Sequence, residues 1–182
     1  MGEILVHEFI TLDGVIEDPS FTFDFGFDPR MGTAIARLMG SCKAILLGRR
    51  TYEMFAPAWS SRTAEDDPGA PFMNESPKHV VSATLKKAEW NNSTIVGAYS
   101  AHAIRRLKGS VEAGIYVSGS MTLVQAMLAD GLVDVLHLFV FPVTSGTGGR
   151  LFADGSAAAR FTLEEAETYE NGVLHLAYRT AG

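Results

Sequence analysis

Apolar positions recur along the chain in two alternating rhythms. Residues 4–10 read as a first strand that ends at Thr11-Leu12-Asp13-Gly14. Next, Met31, Ile35 and Leu38 share one helical face, with Asp28 as N-cap, Pro29 as first helical residue and Gly40 as a stop. Residues 43–47 form a short buried run into Gly48, followed by a helix through Thr51 and Phe55. Residues 79–82 and 94–96 are two more short strands, and Ala101, Ile104 and Leu107 mark a further helix. The strand at 115–118 passes through Gly119-Ser120 into a helix carrying Leu123, Val124, Met127 and Leu128, closed by Gly131. Then the rhythm changes. Residues 134–141, 161–169 and 173–179 are strands with no helix between them, the last two joined by the hairpin signal Asn171-Gly172.

Strand–helix alternation followed by strands alone predicts an α/β sheet, parallel first, with antiparallel strands added at one edge. Residues 60–77 break the pattern. They are rich in Ser, Asp, Pro, Gly and Asn, and read either as a lid over a site or as a solvated insertion.

The chain has 182 residues, 47% hydrophobic and 20% charged, which suits one globular domain over 1–182. No apolar run approaches the roughly 20 residues of a membrane helix. The one cysteine, Cys42, excludes an intrachain disulfide framework and a cysteine-based zinc site. A net charge of −6 argues against general nucleic-acid binding. The expectation from these bounds is a soluble cytoplasmic globular protein.

Two strand–glycine–helix junctions carry the candidate chemistry. In Leu47-Gly48-Arg49-Arg50-Thr51 the first amides of a helix point outward beside two arginines and a hydroxyl, a site for an anion. Val117-Ser118-Gly119-Ser120 repeats the arrangement. In an α/β sheet such junctions gather at the carboxyl ends of the strands, so together they suggest a dinucleotide. The plainer reading is two tight turns with solvated arginines. Neither a G-x-G-x-x-G turn after the first strand nor a G-x-x-x-x-G-K-[ST] loop occurs, so a dinucleotide would need another scaffold.

Gly48-Arg49-Arg50-Thr51-Tyr52-Glu53 resembles the glycine-arginine-x-threonine-aromatic-glutamate motif of dihydrofolate reductases. Thr11-Leu12-Asp13-Gly14, Val81-Ser82-Ala83-Thr84-Leu85, Gly119-Ser120, Gly131-Leu132-Val133-Asp134 and Phe141-Pro142-Val143 follow in the expected order. As a set they look more like the reductase domain of bacterial riboflavin biosynthesis and its standalone relatives. The resemblance implies a three-layer dihydrofolate-reductase-like fold, a mixed, mostly parallel sheet of about eight strands that binds NADPH. Arg49 would face the adenosine 2′-phosphate, which favours NADPH over NADH because a fork-shaped cation suits a phosphate. Arg50 and Thr51 would meet the pyrophosphate, and Ser82 and Thr84 the adenosine end. Ser118, Gly119, Ser120 and Met121 would pass under the phosphates.

The implied activity is hydride transfer to a C=N or C=O bond of a pyrimidine- or pterin-like substrate, with a ribosylamino-to-ribitylamino reduction as the leading chemistry. A proton would come from Asp13, Asp28 or water. Folate reductases carry a carboxylate inside the first long helix, whereas here that helix reads Met31-Gly32-Thr33-Ala34-Ile35-Ala36-Arg37-Leu38. Asp28 stands just outside it, as a cap or as a catalytic group. An NADP-binding protein without turnover is the alternative. Trp59 and Phe55 wall a substrate pocket or pack a core. His7, His79, His102, His137 and His175 lack close metal-ligand spacing. By the same resemblance the chain would be a homodimer.

Overall fold

The computed structural model describes residues 1–181. In chain order the elements are β1 (Ile4–Thr11), α1 (Pro29–Gly40), β2 (Cys42–Gly48), α2 (Arg49–Trp59), α3 (Ala70–Glu75), β3 (Lys78–Val81) and β4 (Ser93–Gly97). They continue with α4 (Ala101–Ser110), β5 (Gly114–Val117), α5 (Met121–Ala129), β6 (Val135–Phe141), β7 (Phe161–Thr168) and β8 (Leu174–Thr180).

β1 is buried along both faces, as a central parallel strand must be. It pairs in parallel with β5 on one side and β6 on the other, in an eight-stranded sheet ordered β4-β3-β2-β5-β1-β6-β8-β7. The five strands from β4 to β1 and also β6 run parallel, while β8 and β7 are antiparallel at the far edge. This is the mixed sheet with a terminal hairpin that the apolar rhythm predicts.

Alternate residues of each strand serve opposite layers. Ile4, Val6 and Ile10 join Ile104 and Leu107 of α4 and Leu123, Val124 and Met127 of α5 in the larger core. Leu5, Ile45 and Tyr116 face the other way, against Leu38 and Met39 of α1 and Tyr52 of α2. Asp28 caps α1 as expected, its carboxylate accepting from the Arg30 amide at 2.9 Å.

The segment 60–77 is neither of its two sequence readings in full. It contains α3, whose Ala70 and Met73 are fully buried, so part of it belongs to the core. Asn74 fixes it: its amide donates to the Trp59 and Arg62 carbonyls, and its oxygen accepts from the Trp90 indole at 2.8 Å. The buried Lys78 donates to the carbonyls of Asn74 and Ser76 and lies 4.6 Å from the Trp90 ring centre. Burying Met73 stabilises this anchor by about 2 kcal/mol, enough to offset the poor strand and helix propensity around it.

Candidate functional site

Three neighbouring strands, β3, β2 and β5, end on one edge of the sheet and deliver Ser82, Gly48 and Ser118 there. α2 and α5 both start from this edge, with Gly48 and Ser120 as N-caps; Gly48 has no side chain and that of Ser120 makes no capping bond. Two sets of first-turn amides are thereby left for an outside acceptor. The two turns interlock. A Cβ on Gly48 would collide with the Ser120 hydroxyl, and one on Gly119 would lie 2.8 Å from Thr51 Oγ1. Gly119 also has φ +80°, a conformation side chains resist. The Gly119–Ser120 peptide bond is cis. The turns at Gly48 and Gly119, far apart in sequence, thus form one cradle in which each glycine lies against a hydroxyl of the other turn.

Arg49 and Arg50 are exposed at the rim of that cradle, and Met121 opens α5 beside it. Arg49 pairs with Glu53 at 3.0 Å across one helical turn, an exposed contact weak enough to exchange for a stronger anion. Ser82 is nearly buried, and its hydroxyl accepts from the Thr84 and Leu85 amides, shaping the turn after β3. Thr84 is exposed on that turn.

The two candidate acids are both engaged by backbone. Asp13 accepts from the Thr11 hydroxyl at 2.6 Å and from the Ser145 and Gly146 amides at 3.0 and 2.7 Å. These bonds hold its carboxyl down at about 2. They also clamp residues 145–146 beside the end of β1, where Glu17 accepts from the Gly149 amide. Asp28 accepts from the Arg30 guanidinium at 2.8 Å and the Glu170 amide at 3.0 Å, which hold it well below the usual carboxylate range.

Next to the cradle, reached through Ser118, lies a cavity of about 640 Å³ between the sheet and helices α1 and α2. Phe55 and Trp59 are among its walls, as one of their two sequence readings has it. Its floor is polar: His7 Nδ1 and the Tyr116 hydroxyl lie 2.7 Å apart on adjacent strands. A separate cavity of 520 Å³ sits between α5 and residues 151–161 and touches none of the cradle.

Three features escape the sequence reading. The His7–Tyr116 pair spans 109 positions, so no local motif announces it. Glu8 sits on the same face of β1 as Val6 and Ile10, and burial raises its carboxyl to about 8 despite a hydrogen bond from the Gly119 amide. Strand alternation alone would have flagged that carboxylate in an apolar row. Strand pairing also brings His175 within 4.8 Å of Glu165 and Glu167, with Arg37 donating to both carboxylates.

The strand order and the interlocked glycine turns define a dihydrofolate-reductase-like α/β protein. Within that class the chain belongs to the RibD C-terminal domain family, whose profile matches residues 3–175. The uncharacterized protein YyaP of Bacillus subtilis (strain 168) is 25% identical over 180 residues, covering 95% of this chain and 92% of its own. A protein from Shewanella sp. PV-4, named provisionally for riboflavin biosynthesis, superposes with a TM-score of 0.81 at 19% identity over 99% of each chain. Dihydrofolate reductase from Enterococcus faecalis, solved with NADP(H), gives a TM-score of 0.59 at 15% identity, over 99% of this chain and 97% of that one. These structural likenesses establish the fold. Among the described residues no helix is long and apolar enough to cross a membrane.

Proposed function

We propose that the protein is an NADPH-dependent reductase of a small heterocyclic compound. The observation that carries this is the interlocked pair of turns, Gly48 against Ser120 and Gly119 against Thr51, opening beside a polar-floored cavity. A side chain at either glycine would force the two turns apart, and with them the first amides of α2 and α5 that a pyrophosphate would meet, so the residues present fit a dinucleotide. When bound, NADPH would supply a hydride for a C=N or C=O group. The first amides of α2 and α5, with Arg50 and Thr51, would hold its pyrophosphate. Arg49 would exchange Glu53 for the 2′-phosphate, while Ser82 and Thr84 would border the adenosine and Met121 the phosphates.

Asp13 and Asp28 serve as clamp and cap in this reading. Both are held ionised, so neither carries a proton to give near neutral pH. The proton would then come from water in the open cavity. The absence of a carboxylate from the α1 residues lining the cavity favours a second reading, NADP binding without turnover. NADPH oxidation measured against a panel of pyrimidines and pterins separates the two. Consumption stimulated by at least one substrate supports the reductase. Tight binding with no stimulation by any of them supports the second reading.

A further inference from the structure

The cavity differs in character from the cradle it adjoins. Its walls are largely apolar, with Phe9, Ile35, Phe55 and Trp59 from three elements, and its 640 Å³ suits a small ligand. Its floor is polar and uncharged. Burial pulls the His7 imidazole down to about 3 and pushes the Tyr116 phenol up, so both stay neutral across the physiological range. One ring nitrogen, His7 Nε2, is buried with no hydrogen-bond partner among the described residues.

The charge at the mouth is negative. Asp66 and Asp67 line the cavity, whereas no Lys or Arg does among the described residues. The Thr63 amide and hydroxyl hold Asp66 below the usual carboxylate range, so it is ionised. Arg62 is the nearby cation, but it lies flat on Trp59, 5.0 Å from the ring centre, and 4.0 Å from Asp67. Arg30 is bound to Asp28. The groups suited to phosphate, two helix N-termini and Arg49 with Arg50, all stand at the cradle instead.

We propose that this cavity takes a flat heterocycle bearing no phosphate or carboxylate, with its polar edge against the His7–Tyr116 pair. This rests on the reductase reading and narrows its substrate class. Apolar walls grip the faces of the ring, the neutral floor exchanges hydrogen bonds with ring nitrogens or carbonyls, and the two aspartates turn anions away.

Riboflavin and its 5′-phosphate, FMN, share one flat ring system and differ in a single phosphate, which makes them suitable probes. Binding is measured by calorimetry on the whole chain with NADP⁺ in excess, which keeps the flavin phosphate out of the arginine cradle and has no hydride to give. Riboflavin is expected to bind about tenfold more tightly than FMN. The Asp66→Asn, Asp67→Asn double variant should narrow that gap by strengthening FMN alone. Tyr116→Phe should weaken riboflavin about fivefold. FMN binding as tightly as riboflavin, or neither flavin binding, would overturn the proposal. A prior titration with NADP⁺ alone judges the cofactor reading separately; should it fail, the two flavins are ordered on the Arg49→Ala, Arg50→Ala variant, whose cradle offers the flavin phosphate no arginine.

Discussion

At the scale of single residues, the cradle depends on what is missing from two positions. Gly48→Ala places a methyl on the Ser120 hydroxyl, so NADPH affinity is expected to fall at least about tenfold, with stability down by about 1–3 kcal/mol. Pairing it with Ser120→Gly removes the obstacle and should recover most of the lost stability. Non-recovery in thermal melts would show that the clash is not the cause. Glu8 makes a different kind of prediction. Burial raises its carboxyl from 4.5 to about 8, so the folded chain binds that proton more tightly than the unfolded chain does. That contribution is complete below about pH 4.5 and is lost as the pH rises through 8. Between pH 7 and 8, above the ordinary histidine range, the melting temperature should fall by about 3 °C relative to Glu8→Gln. Parallel pH profiles for the two proteins would contradict this account of Glu8.

At the scale of elements, α1 and α3 show what local sequence does and does not disclose. The α1 boundaries are legible because Asp28, Pro29 and Gly40 are punctuation with a local mechanism. Asp28→Asn retains a capping oxygen, so any turnover and the stability should change less than about twofold and about 1 kcal/mol respectively. A collapse of turnover with the fold intact would instead make Asp28 a catalytic residue. α3 was not legible. Its six residues sit among Pro, Gly, Asp and Ser, and what makes them helical is tertiary: the buried Met73 and the Asn74 bonds to Trp59, Arg62 and Trp90. Asn74→Ala breaks all three and should lower stability by about 2–3 kcal/mol, read by denaturant unfolding. A loss under about 0.5 kcal/mol would mean that the segment is held by burial alone.

At the scale of the whole molecule, the fold class follows from counting rhythms, but the sheet order does not. Parallel partners such as β1 and β6 lie more than a hundred residues apart, and no local pattern records which strands will meet. The cradle was partly legible, since Gly48 and Gly119 each mark a strand–helix turn, while their mutual contacts through Ser120 and Thr51 exist only after folding. The cavity was hardly legible at all, because its floor is assembled from β1 and β5 and its rim from residues 66–69. The clamp of Asp13 on Ser145 and Gly146 similarly joins two ends of the chain around the site. The molecule therefore sets a cationic rim on one side of Ser118 and a neutral-floored pocket with acidic edges on the other. On the proposed reading, that division would let an acidic protein, −6 overall, hold a polyanion at one place.

The Gly48–Ser120 cradle, with Arg49 at its rim, is the proposed NADPH site. Its most direct test is a titration of NADPH and NADH, followed by tryptophan fluorescence, on the wild type and Arg49→Ala. Tighter binding of NADPH than of NADH, with the preference lost in the variant and NADH affinity little changed, is the result expected. Failure of either nucleotide to bind the wild-type protein would contradict the account.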